Sequence, residues 1–160
     1  MLVLGGTRSG KSAVAENLAR EAGGAIAYLA TGRVDAAGMD ERIARHRARR
    51  PATWTTIECG ADLPGALVAC SAETVLVDSL GTWVAAHDDL RVDGVALLAA
   101  LTGRVGTTVV VSEEVGLAVH PPTEVGRRFV DAIGDLNQAV AAVADAVALV
   151  VAGRVMWLPT

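Results

Sequence analysis

Apolar residues fall along this chain in short, nearly continuous blocks separated by stretches with helical spacing. Leu2-Val3-Leu4, Ala25 to Ala30, Thr74 to Val77, Thr107 to Ser112 and Ala146 to Ala152 are such blocks. Uninterrupted apolar runs of this kind mark strands buried on both faces of a sheet. Trp54-Thr55-Thr56-Ile57-Glu58 reads as a further strand, behind Pro51. Between the blocks, helices are expected from Ala13 to Ala19, from about Ala37 to Arg47, from Leu63 to Ala69 and from Val95 to Val105. A long helix follows His120-Pro121-Pro122, with Val125, Phe129, Ile133, Leu136, Val140 and Val143 spaced by three and four along one face. Its other face carries Arg127, Arg128, Asp131, Asp135, Asn137 and Gln138. At the end, Gly153 turns the chain into Arg154-Val155-Met156-Trp157-Leu158, an antiparallel edge hairpin. Strands alternating with helices predict a three-layer α/β domain with a mostly parallel sheet.

The first block leads into Gly5-Gly6-Thr7-Arg8-Ser9-Gly10-Lys11-Ser12, a G-x-x-x-x-G-K-S sequence in the order strand, turn, helix. Glycines let the backbone curl with its N–H groups inward, where they cradle phosphate oxygens. Lys11 reaches the outer phosphates, the Ser12 hydroxyl can ligate Mg²⁺, and the helix N-terminus adds partial positive charge. Lys11 is the only lysine in the chain; all other cationic side chains but histidine are arginine. A compact point charge is needed there, which the planar fork of Arg does not supply. Asp78 caps an apolar strand, the pattern that places a Walker-B-type carboxylate beside the loop's cation. The bland alternative is an Asp that caps the following helix. Together these features predict a phosphate-loop NTPase of RecA-like architecture.

Composition narrows the class. At 160 residues with 52% hydrophobic but only 3% aromatic residues, the expectation is one domain with a core of Ala, Val, Leu and Ile. A net charge of −4 argues against a nucleic-acid or membrane-surface binder. Cys59 and Cys70 show no metal or disulfide spacing, which reads as reduced thiols and a cytoplasmic protein without a membrane span. A base-reading N-K-x-D motif is absent, since the sole lysine lies in the loop, so a small-molecule kinase or nucleotidyltransferase fits better than a GTPase switch.

The second informative stretch is Arg42-Ile43-Ala44-Arg45-His46-Arg47-Ala48-Arg49-Arg50-Pro51, followed by Trp54, Thr56 and Glu58. Taken alone it is a solvated basic helix with one histidine. Taken with the loop, it resembles the adenosylcobinamide kinase / adenosylcobinamide-phosphate guanylyltransferases of cobalamin biosynthesis. The loop is similar to that family's GG-x-RSGKS. The second stretch is similar to its RI-x-x-H-x-x-x-RP-x-x-W-x-T-x-E signature. Glu114-Val115-Gly116 and then Arg128-Phe129, Asp131, Gly134 and Asn137-Gln138 resemble its third. The likeness runs from Leu2 to about Gly153. Glu113 stands where the family usually has Asn, and Val130 where it has Arg.

The resemblance implies two reactions. ATP or GTP phosphorylates adenosylcobinamide; GTP then gives GMP to the histidine matching His46, and from there to adenosylcobinamide phosphate, with pyrophosphate released. It also implies that Thr31, Gly32, Arg33, Arg50, Pro51, Glu58 and Asp78 join the loop in binding nucleotide. The expected catalytic residues are His46 and Lys11, the metal ligands Ser12 and Asp78, and the assembly a homotrimer. Two alternatives stay open at this point: a phosphate-loop kinase without guanylyl transfer, and a RecA-like nucleotide-binding module that moves a partner.

Overall fold

The computed structural model describes residues 1–32, 51–117 and 119–159. The expected helix from Ala37 to Arg47 lies outside them. Seven strands form one sheet: β1 (Leu2–Gly5), β2 (Ile26–Ala30), β3 (Thr55–Glu58), β4 (Thr74–Asp78), β5 (Thr107–Glu113), β6 (Val147–Val151) and β7 (Arg154–Leu158). Their order is β3-β2-β4-β5-β1-β6-β7, parallel throughout except for β7. The described helices are α1 (Lys11–Ala22), α2 (Leu63–Ala69), α3 (Leu80–Ala85), α4 (Gly94–Gly103) and α5 (Glu124–Val143).

Alternate residues of each apolar strand face opposite ways, so a buried parallel sheet needs a core on each side. On one face Leu2, Leu29, Val75, Val77 and Val110 pack with Leu63, Leu67, Trp83, Leu97, Ile133 and Leu136 from α2 to α5. On the other, Val3, Tyr28, Leu76, Val109 and Val111 pack with Ala15 and Ala19 of α1 and with Trp54. Small residues on the inner side of α1 bring that helix close to the sheet. It starts from β1 and lies across β5 to β4.

α3 is an element the apolar pattern does not announce. It begins two residues after Asp78, and the residue between, Ser79, is its N-cap: the Ser79 hydroxyl accepts the Thr82 N–H while the Thr82 hydroxyl accepts the Ser79 N–H. This reciprocal cap starts a six-residue helix too short for periodicity to reveal. It also removes the reading of Asp78 as a helix cap.

The terminal hairpin forms as expected. Ala152 and Gly153, at φ 50° and 73°, both lie in the left-handed region, the requirement of a two-residue type I′ turn between Val151 and Arg154. No described helix is long and apolar enough to cross a membrane.

Leu76 is fully buried at the centre of the sheet, whereas Val68 on α2 is 76% exposed. Leu76→Ala is therefore expected to lower the unfolding free energy by about 2–5 kcal/mol in urea titrations. Val68→Ala should stay within about 0.5 kcal/mol of the parent.

Candidate functional site

Ligands of open α/β sheets sit at the carboxyl ends of the strands, and the sequence's chemistry gathers there. β1 ends at Gly5, and the chain must reverse into α1 by Lys11. Gly5 is buried against Ser9: a Cβ on it would overlap Ser9 Oγ and lie 2.9 Å from the Val150 carbonyl. Arg8 sits at φ 58° and Gly10 at φ 94°, so the loop bends twice through the left-handed region. Internal bonds fix the curl: Ser9 N–H donates to Gly6 O at 3.2 Å, and Lys11 N–H to Ser9 Oγ at 3.3 Å. Gly153 N–H donates to Ser9 O at 2.7 Å, so the β6–β7 turn braces the loop from outside.

Lys11 opens α1 and is 5% exposed. Its ammonium donates to Gly6 O at 3.4 Å and stands 3.6 Å from Glu113 Oε1. Ser12 Oγ lies 3.5 Å from Asp78 Oδ1, and Tyr28 Oη donates to Asp78 Oδ2 at 2.8 Å. The course of α1 from β1 towards β4 explains the meeting of Ser12 and Asp78 even though β5 lies between their strands. The peptide joining Asp78 to Ser79 is cis.

The remaining expected residues divide. Thr7 and Arg8 are exposed at the loop's crest, and Gly6 is half-buried below them. Thr31 is buried, with its hydroxyl donating to Ser79 O at 2.7 Å and accepting Ser79 N–H at 3.0 Å. It ties the end of β2 to the start of α3. Gly32 follows it at the same edge. Glu58 and Asp78 both pair with Ala30, from opposite sides of β2. At the usual strand spacing that separates their backbones by about 10 Å, so Glu58 lies outside the Lys11–Ser12–Asp78 cluster. Pro51 accepts the Trp54 N–H at 3.0 Å and starts the turn into β3. Arg33, His46 and Arg50 lie outside the described residues.

Glu113 is a member of this edge that the sequence reading registers only as a difference. Its signal is the one used for Asp78, an acid closing an apolar strand. Asn137 Nδ2–H donates to the Glu113 carbonyl at 2.9 Å, which gives that helix residue a place at the site. Glu114 points elsewhere: its carboxylate accepts Gly116 N–H at 2.7 Å and Leu117 N–H at 3.2 Å, folding the loop after β5.

This arrangement has the chemistry of an anion site. It offers curled amides, one ammonium at a helix N-terminus, and an oxygen pair at Ser12 and Asp78. Comparison with known proteins names the chemistry. A sequence model of the cobinamide kinase / cobinamide phosphate guanyltransferase family matches residues 1–158. The chain belongs to this family. A bifunctional adenosylcobalamin biosynthesis protein of Pseudomonas aeruginosa is 44% identical, over 98% of this chain and 95% of its own. One of the same description from Salmonella typhimurium is 35% identical, over 96% of each. Among solved structures, the flagellar accessory protein FlaH of Methanocaldococcus jannaschii is similar with a TM-score of 0.51 and 12% identity, covering 96% of this chain and 73% of its own. At that identity the likeness is one of fold. The family's description names a kinase and a guanyltransferase acting on cobinamide and cobinamide phosphate.

Cys59 follows directly on β3. Its Sγ–H donates to Ala30 O at 3.2 Å, and burial, the largest cause, pushes its pKa up to about 11. A thiol held protonated is a poor nucleophile at neutral pH. Iodoacetamide should therefore modify Cys59 slowly at pH 8, with the rate climbing towards pH 11, as followed by mass spectrometry of the tryptic peptide. Because the folded state holds this proton more tightly than the unfolded chain, its contribution to stability is complete below about pH 9 and is lost as pH rises through about 11.

Proposed function

We propose that this chain phosphorylates adenosylcobinamide with ATP or GTP and then transfers GMP from GTP to adenosylcobinamide phosphate, through a guanylyl-histidine at His46. The observation that carries the reading is the convergence of the loop amides, Lys11, Ser12 and Asp78 at one sheet edge, in a chain of the cobinamide kinase / guanyltransferase family.

In the first step the acceptor hydroxyl attacks the γ-phosphorus. A new O–P bond forms, the β–γ anhydride bond breaks, and the hydroxyl proton leaves to solvent. The loop amides and Lys11 hold the β- and γ-oxygens and offset the charge that develops on them. In the second step the neutral imidazole of His46 attacks the α-phosphorus, the α–β anhydride bond breaks, and pyrophosphate departs. The N–P bond is then broken by a phosphate oxygen of adenosylcobinamide phosphate, which regenerates the imidazole. Arg45 and Arg47 beside His46 in the sequence disfavour a further positive charge there, which keeps the ring neutral for attack. In-line attack requires the reacting atoms to approach within about 3–3.5 Å.

Ser12 Oγ and Asp78 Oδ1 are hard oxygen donors facing one another, a pair that fits Mg²⁺. The ion, when bound, would neutralise charge on the phosphate oxygens. Tyr28 holds the second Asp78 oxygen and so keeps the first turned to Ser12. Thr31, Gly32, Arg33, Arg50, Pro51 and Glu58 complete the proposed nucleotide-binding set. Cytoplasmic nucleoside triphosphates and reduced thiols suit this reading, and by resemblance the working form is a homotrimer.

The test is incubation of the protein with MgCl₂ and GTP labelled on the α-phosphate, without corrinoid. The expected product is a covalent label that is acid-labile, alkali-stable and absent from His46→Ala; an unlabelled wild type overturns the guanylyl-histidine. In a parallel assay of γ-phosphate transfer to adenosylcobinamide, Lys11→Ala should lower kcat by about 10²–10³-fold, the cost of removing one donor that stabilises transferring charge.

A further inference from the structure

Glu113 closes β5 between the strand that feeds the phosphate loop and the strand that ends in Asp78. Its carboxylate is built in from two sides of α3: Oε1 accepts Ser79 Oγ–H at 2.9 Å and Oε2 accepts Gly81 N–H at 2.9 Å. Room for it depends on Gly81, since a Cβ there would overlap Oε2. Asn137 fixes the backbone behind it. Against this anchored anion stands the ammonium of Lys11, 3.6 Å away and almost wholly buried.

A buried ammonium needs an anionic partner. In a filled phosphate loop the partner is a phosphate oxygen; here it is the Glu113 carboxylate, with the same sign of charge and the same acceptor chemistry. The two cannot both take the front of one ammonium without repelling each other.

We propose that Glu113 is a specificity-determining residue of the phosphate site: its carboxylate competes with phosphate oxygens for Lys11 and takes Lys11 back when a leaving group departs. The lysine moves in this exchange, on its flexible four-carbon stem, because α3 holds the carboxylate in place. With phosphate bound, Glu113 remains beside it as a like charge. A nucleotide offsets that repulsion through contacts to its base and ribose. Inorganic pyrophosphate has only its charge to hold it and is weakened most. The site thereby favours nucleotide over the bare diphosphate that guanylyl transfer leaves behind. The inference rests on the proposed function, which names pyrophosphate as the leaving group.

The experiment is isothermal titration of the full chain, as wild type and Glu113→Gln, with pyrophosphate and with a GTP analogue whose α,β-bridging oxygen is a methylene. Glu113→Gln should bind pyrophosphate about tenfold tighter, gain less for the analogue, and show correspondingly stronger product inhibition by pyrophosphate. A damaged fold lowers affinity, so a gain has no structural imitation; Glu113→Asn makes the same prediction should the glutamine variant not fold. Pyrophosphate affinity equal to or below wild type in the variants overturns the inference and leaves the proposed function standing. A wild type that binds neither ligand overturns both.

Discussion

The backbone between Gly5 and Gly10 is the constraint on which the carboxyl edge of this protein depends. A strand and a helix that share a sheet face must be joined by a reversal, and this one is completed before Lys11 with no side-chain cap on the helix. The N-cap position is Gly10 in a left-handed conformation; the Lys11 N–H turns back to Ser9 Oγ, and no N-cap side chain covers the amides that follow it. A serine or aspartate cap would make the helix more stable alone and would occupy the place a phosphate needs. The uncapped end is a stability concession that becomes useful only when an anion arrives.

From that reversal the rest follows by geometry. β1 has β5 on one side and β6 on the other, and α1 passes over β5. One helix N-terminus therefore reaches the ends of three strands: Gly5 of its own, Glu113 of β5 and Asp78 of β4. Strand order, which loop chemistry does not dictate, puts two acids on the same side of β1, at the ends of adjacent strands. Lys11 meets one and Ser12 the other. Belonging to the cobinamide kinase / guanyltransferase family says what the ligand is; strand order says why the two carboxylates have different partners.

Much of this was legible in the residues. The buried strands, the long α5 and the closing hairpin come from apolar periodicity, which is strong where elements are long or bury both faces. The loop and Asp78 come from residue types whose chemistry demands a strand end. What escaped had physical reasons. α3 is held by a cap and by tertiary bonds from Thr31 and Glu113, none of which leaves a periodic trace. Glu113 escaped because its partners lie 102 positions back in the chain, at Lys11, and 34 back, at Ser79, contacts that only topology reveals. The hydroxyl of Thr31 ties β2 to the start of α3, a tertiary contact that the sequence does not reveal. The basic stretch around His46, on which the family resemblance leans most, lies outside the described residues, and its role stays with the proposal.

Ser9 O receives the Gly153 N–H, and Gly10 lies so close to Gly153 that a Cβ on Gly10 would come within 3.3 Å of its Cα. β7 itself is an open rail, with Val155, Met156 and Trp157 all substantially exposed. Its turn touches the Gly5–Gly10 loop at one end and carries an edge strand of the sheet at the other. The same two-residue turn that reverses the chain into this rail thus also supplies the donor that closes the Ser9 carbonyl. The periphery of the sheet and the loop at its carboxyl edge share a backbone contact.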